Sequence, residues 1–210
     1  MKKIYLFLFA LLFSNTQVIA QKIFSEGVIK YDVFINNNAN PDGTYVITIK
    51  SGFIKRALTM NNGFDNVTIY NQKTGKTLSF NVKDENKYAL EITENELKEK
   101  NTRFQKAVCQ SIDRSKKIAG YQCEGSMVVY ENKDETQLFY TSELIPQIEN
   151  FNTQFPGLKG IALEYETKTT STNTMKFVAT LIEVKVIDSK VFIIPENYKI
   201  ITKKELSQLK

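Results

Sequence analysis

Apolar and polar residues alternate along most of this chain, in short segments separated by Asn, Asp, Gly and Lys. In residues 27–35 the odd-numbered positions from Ile29 to Ile35 are all apolar, and residues 44–50 repeat the pattern with Tyr45, Ile47 and Ile49. Because successive strand side chains point to opposite faces, this alternation is typical of antiparallel strands with one solvated face. The strands predicted along the chain are residues 27–35, 44–50, 53–60, 67–70, 78–82, 103–112, 121–130, 136–141, 161–169 and 175–188.

The last of these strands is irregular. Its apolar residues occupy odd positions from Met175 to Leu181, but even positions at Ile182, Val184 and Val186. A β-bulge shifts the apolar positions by one residue in this way, and burial of both faces near residues 178–182 would give the same pattern. Either interpretation predicts a curved sheet that another element covers.

Two capping boxes predict short helices. Thr93 and Glu96 form the first, so residues 94–101 are expected to be helical. Thr202 and Glu205 form the second and predict a helical or frayed C-terminal tail over residues 202–210.

A third helix is predicted over residues 145–155. Ile145, Ile148, Phe151 and Phe155 are spaced as one apolar helical face, and Pro156-Gly157 would end the helix. This helix is the expected cover of the sheet. The predicted fold class is therefore mainly β (α+β), with a curved antiparallel sheet or open half-barrel and one or two helices covering its concave face.

The first twenty residues have the features of a secretory signal peptide. Two lysines precede an apolar run from Ile4 to Phe13, and Ala20 precedes the expected cleavage site at Gln21. The run is too short to span a bilayer core of about 30 Å, so no permanent membrane anchor is expected. We expect an exported protein, periplasmic or extracellular, with one domain over residues 21–201.

Composition excludes several classes of function. The 210 residues include no His, no Trp and two Cys, so no histidine-based catalytic pair and no four-cysteine metal site can form. The net charge is +5, but lysines alternate with glutamates and form no basic block, which argues against nucleic-acid binding. No metal, cofactor or catalytic residue is expected, and an enzyme is the weakest hypothesis.

Cys109 and Cys123 lie on two predicted strands whose connecting turn would be centred on residue 116. Pairing about that centre would place the thiols opposite each other, and an oxidising export compartment favours a disulfide between them. A redox pair is the less favoured alternative, because the spacing is not Cys-x-x-Cys. Glu164 and Glu166 share a strand face, and a solvated strand face explains them better than a catalytic carboxylate pair.

Several short motifs occur in an order that resembles a known family. They are residues 117–123 (KIAGYQC), 139–145 (FYTSELI), 155–158 (FPGL) and 194–199 (IPENYK). This order resembles secreted Bacteroidetes-type proteins of unknown function related to the GLPGLI group. The resemblance implies a fold similar to LolA and LolB, the outer-membrane lipoprotein carriers, and it implies no catalytic residues.

Two hypotheses for function follow. The first is an exported, non-enzymatic protein that binds a lipid or other apolar ligand on the concave face. Its candidate ligand-binding residues are Phe139, Ile148, Phe151, Phe155, Leu158 and Phe177. The alternative is a structural or protein-interaction module of the cell envelope, in which the covering helix fills the core and the partner is an envelope protein.

Overall fold

A computed structural model describes residues 21–148, 151–168 and 173–209. The predicted signal peptide, residues 1–20, lies outside these residues. The strands are β1 (Lys22–Phe24), β2 (Glu26–Ile35), β3 (Gly43–Lys50), β4 (Phe53–Met60), β5 (Asp65–Asn71), β6 (Lys76–Phe80), β7 (Tyr88–Ile92), β8 (Val108–Ile118), β9 (Tyr121–Val129), β10 (Glu135–Thr141), β11 (Leu144–Pro146), β12 (Ile161–Lys168), β13 (Thr174–Glu183) and β14 (Lys199–Thr202). The helices are α1 (Glu94–Asn101) and α2 (Lys203–Gln208), with short 3-10 turns at Thr102–Phe104 and Ser189–Phe192.

Twelve strands form one sheet in the order β14-β7-β6-β5-β4-β3-β2-β13-β12-β10-β9-β8. Neighbouring strands are antiparallel except β14 and β7, which run parallel. The end strands β14 and β8 do not pair with each other, so the sheet is open. Strands β1 and β11 form a separate parallel pair.

The sheet is strongly curved. Strands β6 and β12 are six places apart in the sheet, which is about 29 Å at the usual strand spacing. Nevertheless Ser79 of β6 and Tyr165 of β12 line the same cavity of about 380 Å³. The sheet therefore curls toward this cavity, and we call the face that lines it the concave face. The predicted fold class, a mainly β protein with an open, curved antiparallel sheet, is confirmed.

A bulge interrupts the long strand β13. Its pairing with β2 shifts between Ala179, which lies opposite Tyr31, and Leu181, which lies opposite Lys30. Thr180 is thus the extra residue, and the bulge interpretation of the shifted apolar positions is confirmed. Such a bulge increases local twist next to β2, whose Ile29, Tyr31 and Val33 are buried in the main core.

Both capping boxes are present. The Thr93 side chain accepts a hydrogen bond from the Glu96 amide, the Glu96 carboxylate accepts one from the Thr93 amide, and α1 begins at Glu94. Thr202 and Glu205 cap α2 in the same way. The half-buried Leu97 of α1 packs on the concave core.

The prediction of a helix over residues 145–155 is wrong for the described part of that segment. Residues 144–146 are strand β11, paired in parallel with β1, and residues 151–154 form turns. The Gln147 amide donates a hydrogen bond to the Phe24 carbonyl, so the backbone finds its partner in the N-terminal strand. The apolar residues are still buried, Ile148 and Phe155 among them.

The predicted disulfide does not fit this structure, in which Cys109 and Cys123 are free thiols. The β8–β9 turn lies at Ala119-Gly120, both with positive φ, and is not centred on residue 116. Cys123 consequently pairs opposite Lys116, and Cys109 opposite Val128. Five residues of strand, about 16 Å, separate the two positions, whereas a disulfide needs Cα atoms within about 7 Å.

We expect the two free thiols to react slowly with a thiol reagent, one before the other. Burial raises the pKa of both, that of Cys123 to about 11, so little thiolate forms at pH 8. We expect two thiols per chain in unreduced, denatured protein by colorimetric titration. In native protein Cys109 should react first, because Cys123 is 0% exposed. Cys109→Ser should remove the first phase, and finding no thiol before reduction would show that the disulfide exists.

Candidate functional site

The central cavity, of about 380 Å³, lies between the concave face and residues 151–155, which we call the covering segment. Inward-facing residues of β2 to β6 and β12 contribute to its lining, and α1 closes one side with Leu97 and Asn101. The strands position these side chains because only alternate residues point inward. The cavity volume falls within the range of about 300–1,000 Å³ typical of ligand cavities.

Aromatic rings form one side of the central cavity. The Tyr31 ring lies 5.8 Å from Tyr45 and 6.1 Å from Tyr165, measured between centroids. Phe155 of the covering segment meets Tyr165 edge-on at 5.2 Å, and Phe177 stacks on Tyr165 at 4.8 Å. The Tyr31 hydroxyl donates a hydrogen bond of 3.0 Å to the Ala162 carbonyl, which fixes the ring.

These phenols remain neutral. Burial raises the pKa of Tyr31, Tyr45 and Tyr165 above the ordinary value for tyrosine. The aromatic side of the cavity therefore offers apolar ring faces and polar hydroxyls, and it has no negative charge at neutral pH.

The opposite side of the cavity is polar. Asn66 and Thr68 of β5 and Thr77 and Ser79 of β6 point inward. The Asn66 side-chain amide donates to the Ser79 hydroxyl at 3.2 Å. The apolar residues between them face the other way, where Val67, Ile69 and Phe80 pack with Ile187 and Phe192 in a second core on the outer face.

Side chains on both sides hold the covering segment in place. The Asn152 side-chain amide donates to the Gly160 carbonyl at 2.7 Å and to the Leu158 carbonyl at 3.3 Å. Arg56, on β4, donates to the Phe151 carbonyl at 3.3 Å. The Tyr130 hydroxyl donates to the Gln154 carbonyl at 3.3 Å. The segment is thus fixed to the sheet by polar contacts as well as by Phe155.

The structure brings together four of the six predicted ligand-binding residues around the covering segment. Phe151 and Phe155 line the central cavity. Ile148, Phe151 and Leu158 line a neighbouring cavity of about 420 Å³, which we call the Ile148 cavity. Phe177 lies in the core beneath Tyr165 and lines neither cavity.

Phe139 lies elsewhere. It pairs opposite Glu164, which follows the inward Leu163 and precedes Tyr165 on β12. Because consecutive side chains alternate, Glu164 and Tyr165 point to opposite faces. Lys116 lies 4.1 Å from the Phe139 ring centroid and also pairs with Glu164. Phe139 is half-buried against the main core and lines neither the central cavity nor the Ile148 cavity. Glu164 pairs with Lys176 as well, and these ion pairs account for its carboxylate without a catalytic role.

Sequence reasoning missed the polar residues of the central cavity. The available signal was Arg56, a charged residue at an inward position between Ile54 and Leu58. The inward polar residues of β5 and β6 were a second signal, because their apolar neighbours alternate in the opposite phase.

The described residues contain no group of three or more His, Cys, Asp or Glu side chains arranged to hold a metal ion. Within the same part of the chain, no helix has the length and apolar character needed to cross a membrane.

No family model and no curated protein matches this chain. Among solved structures, PNGF-II is similar over 88% of this chain, with 17% sequence identity and a TM-score of 0.52. The chain spans about a third of PNGF-II, 33% of its length. This likeness concerns the fold alone.

Two further structures align at lower TM-scores. The Pseudomonas aeruginosa MucA/MucB complex aligns over 84% of this chain and 58% of that chain, at 10% identity and a TM-score of 0.46. A LolA superfamily protein from Nitrosomonas europaea aligns over 83% of this chain and 92% of its own, at 8% identity and a TM-score of 0.35. The resemblance to the GLPGLI group stays a prediction.

Proposed function

We propose that this chain is an exported, non-enzymatic protein that binds a lipid-like small molecule in the central cavity. The observation that carries the proposal is the cavity itself. Space of about 380 Å³ lies between the concave face and the covering segment, where side chains would fill a purely structural core.

The chemistry of the lining supports the same proposal. Neutral tyrosine rings and Phe155 offer apolar surface for a hydrocarbon chain, while a few hydroxyl and amide groups on β5 and β6 can orient a polar end. Apolar surface combined with convergent polar groups is typical of small-molecule sites. The predicted leader would deliver the protein to the periplasm or the exterior, where envelope lipids are present.

Filling the cavity is expected to abolish binding. Thr68 lies on β5 between Arg56 and Ser79, and its side chain lines the cavity. We expect Thr68→Phe to weaken binding of a fluorescent fatty acid by at least about tenfold, because the added ring occupies the ligand's space. The measurement is a fluorescence titration of purified protein lacking residues 1–20.

Thr59→Phe is the matched control, since Thr59 is exposed on the neighbouring strand β4 and lines no part of the cavity. It should bind as the unmodified protein does. Ser79→Leu, also in the lining, provides a second filled cavity if Thr68→Phe folds poorly. Equal affinity in all folded variants, or no binding by the unmodified protein, would contradict the proposal.

A protein-interaction role is the second candidate, and one surface favours it. Residues 184–193 cover the outer core, yet they expose Val186 by 86% and Ile193 by 66%. Large apolar side chains exposed along one segment are a feature of protein contact sites. An envelope protein that co-purifies with the chain, and is lost with Val186→Ser and Ile193→Ser, would support this role.

A further inference from the structure

The central cavity adjoins two others whose linings differ in polarity. It shares Phe151 and Asn152 with the Ile148 cavity. It shares Leu97 and Asn101 with a third cavity of about 750 Å³ beside the β5–β6 turn, which we call the hairpin cavity. The three cavities together surround the covering segment.

The Ile148 cavity is mainly apolar. Its lining includes Ile145, Pro146, Ile148, Phe151, Pro156 and Leu158. Burial of a hydrocarbon chain against these side chains is favourable, at roughly 0.8 kcal/mol per methylene group.

The hairpin cavity is mainly polar. Its lining includes Gln72, Lys73, Thr74, Lys98, Asn101 and Gln105. Glu94, which also lines it, is paired with Lys98 at 2.7 Å, and these two charges cancel. The charge of Lys73 therefore makes this cavity positive. Hydrated side chains of this kind suit a polar head group and disfavour a buried hydrocarbon chain.

The central cavity has a mixed lining. Asn66, Thr68, Thr77 and Ser79 lie on β5 and β6, the strands that lead to the hairpin cavity. Arg56 on β4 and residues 152–154 of the covering segment are polar as well. Its aromatic residues lie on β2, β3, β5 and β12, with Phe151 and Phe155 of the covering segment. The linings therefore change from mainly polar beside the β5–β6 turn to mainly apolar around Ile148 and Leu158, and the mixed central cavity adjoins both.

From the contrast between the hairpin cavity and the Ile148 cavity we infer that the ligand is a single-chain amphiphile bound in one orientation. Its polar head lies in the hairpin cavity, its chain crosses the central cavity, and its terminal carbons lie in the Ile148 cavity. This inference rests on the proposed function and adds the class of ligand and its direction.

The absence of Trp from the sequence allows a direct test. Lys73 and Lys159 are exposed residues that line the hairpin cavity and the Ile148 cavity respectively. Lys73→Trp and Lys159→Trp each introduce one fluorophore with the same change in charge. Each variant is titrated with stearic acid that carries a quenching nitroxide either at carbon 5, near the carboxylate, or at carbon 16, near the chain end.

We expect the carbon-16 label to quench Lys159→Trp at least about twofold more strongly than the carbon-5 label, and the reverse order in Lys73→Trp. Binding with equal quenching by both labels, or with the order reversed, would overturn the inference and leave the proposed function intact. If neither variant is quenched and unlabelled stearic acid does not bind the unmodified protein, the proposed function fails and the inference fails with it.

Discussion

Tyr31→Ala is expected to lower the free energy of unfolding by about 4 kcal/mol, the usual cost of deleting a buried aromatic ring. Tyr31 is 1% exposed on β2, at the centre of the concave face. Its ring contacts Tyr45 and Tyr165, and its hydroxyl donates to the Ala162 carbonyl. The substitution removes these contacts together. Urea unfolding followed by circular dichroism measures the loss.

Two further variants separate the contributions. Tyr31→Phe keeps the ring and leaves the buried Ala162 carbonyl without its donor, so a loss of about 1–2 kcal/mol is expected. Phe34→Ala, on the same strand but the opposite face, removes a half-buried ring and should cost less than half as much as Tyr31→Ala. If Phe34→Ala proved the more damaging of the two alanine substitutions, the assignment of the main core to the concave face would be wrong.

Gly160→Ala is expected to cost about 3 kcal/mol and to disturb the covering segment. A Cβ atom at Gly160 would lie 2.1 Å from the Thr141 carbonyl oxygen, so the backbone must move. Asn152 is anchored on the Gly160 carbonyl, and the movement would therefore reach the cavity. Both the free energy of unfolding and the affinity for a fluorescent fatty acid should fall.

Gly157→Ala is the matched comparison. Gly157 has a φ of +82°, but an added Cβ would meet no atom within 4 Å. Only the cost of a left-handed backbone remains, about 1 kcal/mol, so the free energy of unfolding should fall less than in Gly160→Ala. Equal losses in the two variants would show that the close approach to Thr141 does not fix the covering segment.

Local patterns predicted much of this fold. The alternation along β2 and β3 identified the strands and the residues that are buried, because side-chain direction in a strand depends only on position. The shifted apolar positions of β13 located its bulge to within a residue or two. Both helices begin where Thr93 and Thr202 cap them, since a capping box is formed within four residues.

Non-local pairing accounts for the errors. The apolar spacing from Ile145 to Phe155 predicted burial correctly and conformation wrongly. Its first residues pair with β1, more than a hundred residues earlier, and that hydrogen bonding replaces the helical pattern. The cysteine pairing failed for a smaller reason, because a two-residue turn at Ala119-Gly120 moved the register of β8 against β9.

The candidate site could be predicted only in part. Phe151 and Phe155 were identified because they are apolar and regularly spaced. The polar lining depends on curvature, which brings β5 and β6 to the same space as β12, and no local pattern encodes that approach. The polar residues of β5 and β6 were also hard to recognise as inward residues. Their apolar neighbours face outward and are buried there by residues 184–198, so the apolar pattern indicates the outer face.

Organic extraction of the purified protein tests the central claim most directly. The extract is analysed by mass spectrometry and quantified against protein, with Thr68→Phe processed in parallel. We expect about one amphiphilic molecule per chain from the unmodified protein and a strongly reduced amount from Thr68→Phe. An extract without any such molecule, from a protein that also fails to take up fatty acid when it is supplied, would contradict the claim that the central cavity is a ligand site.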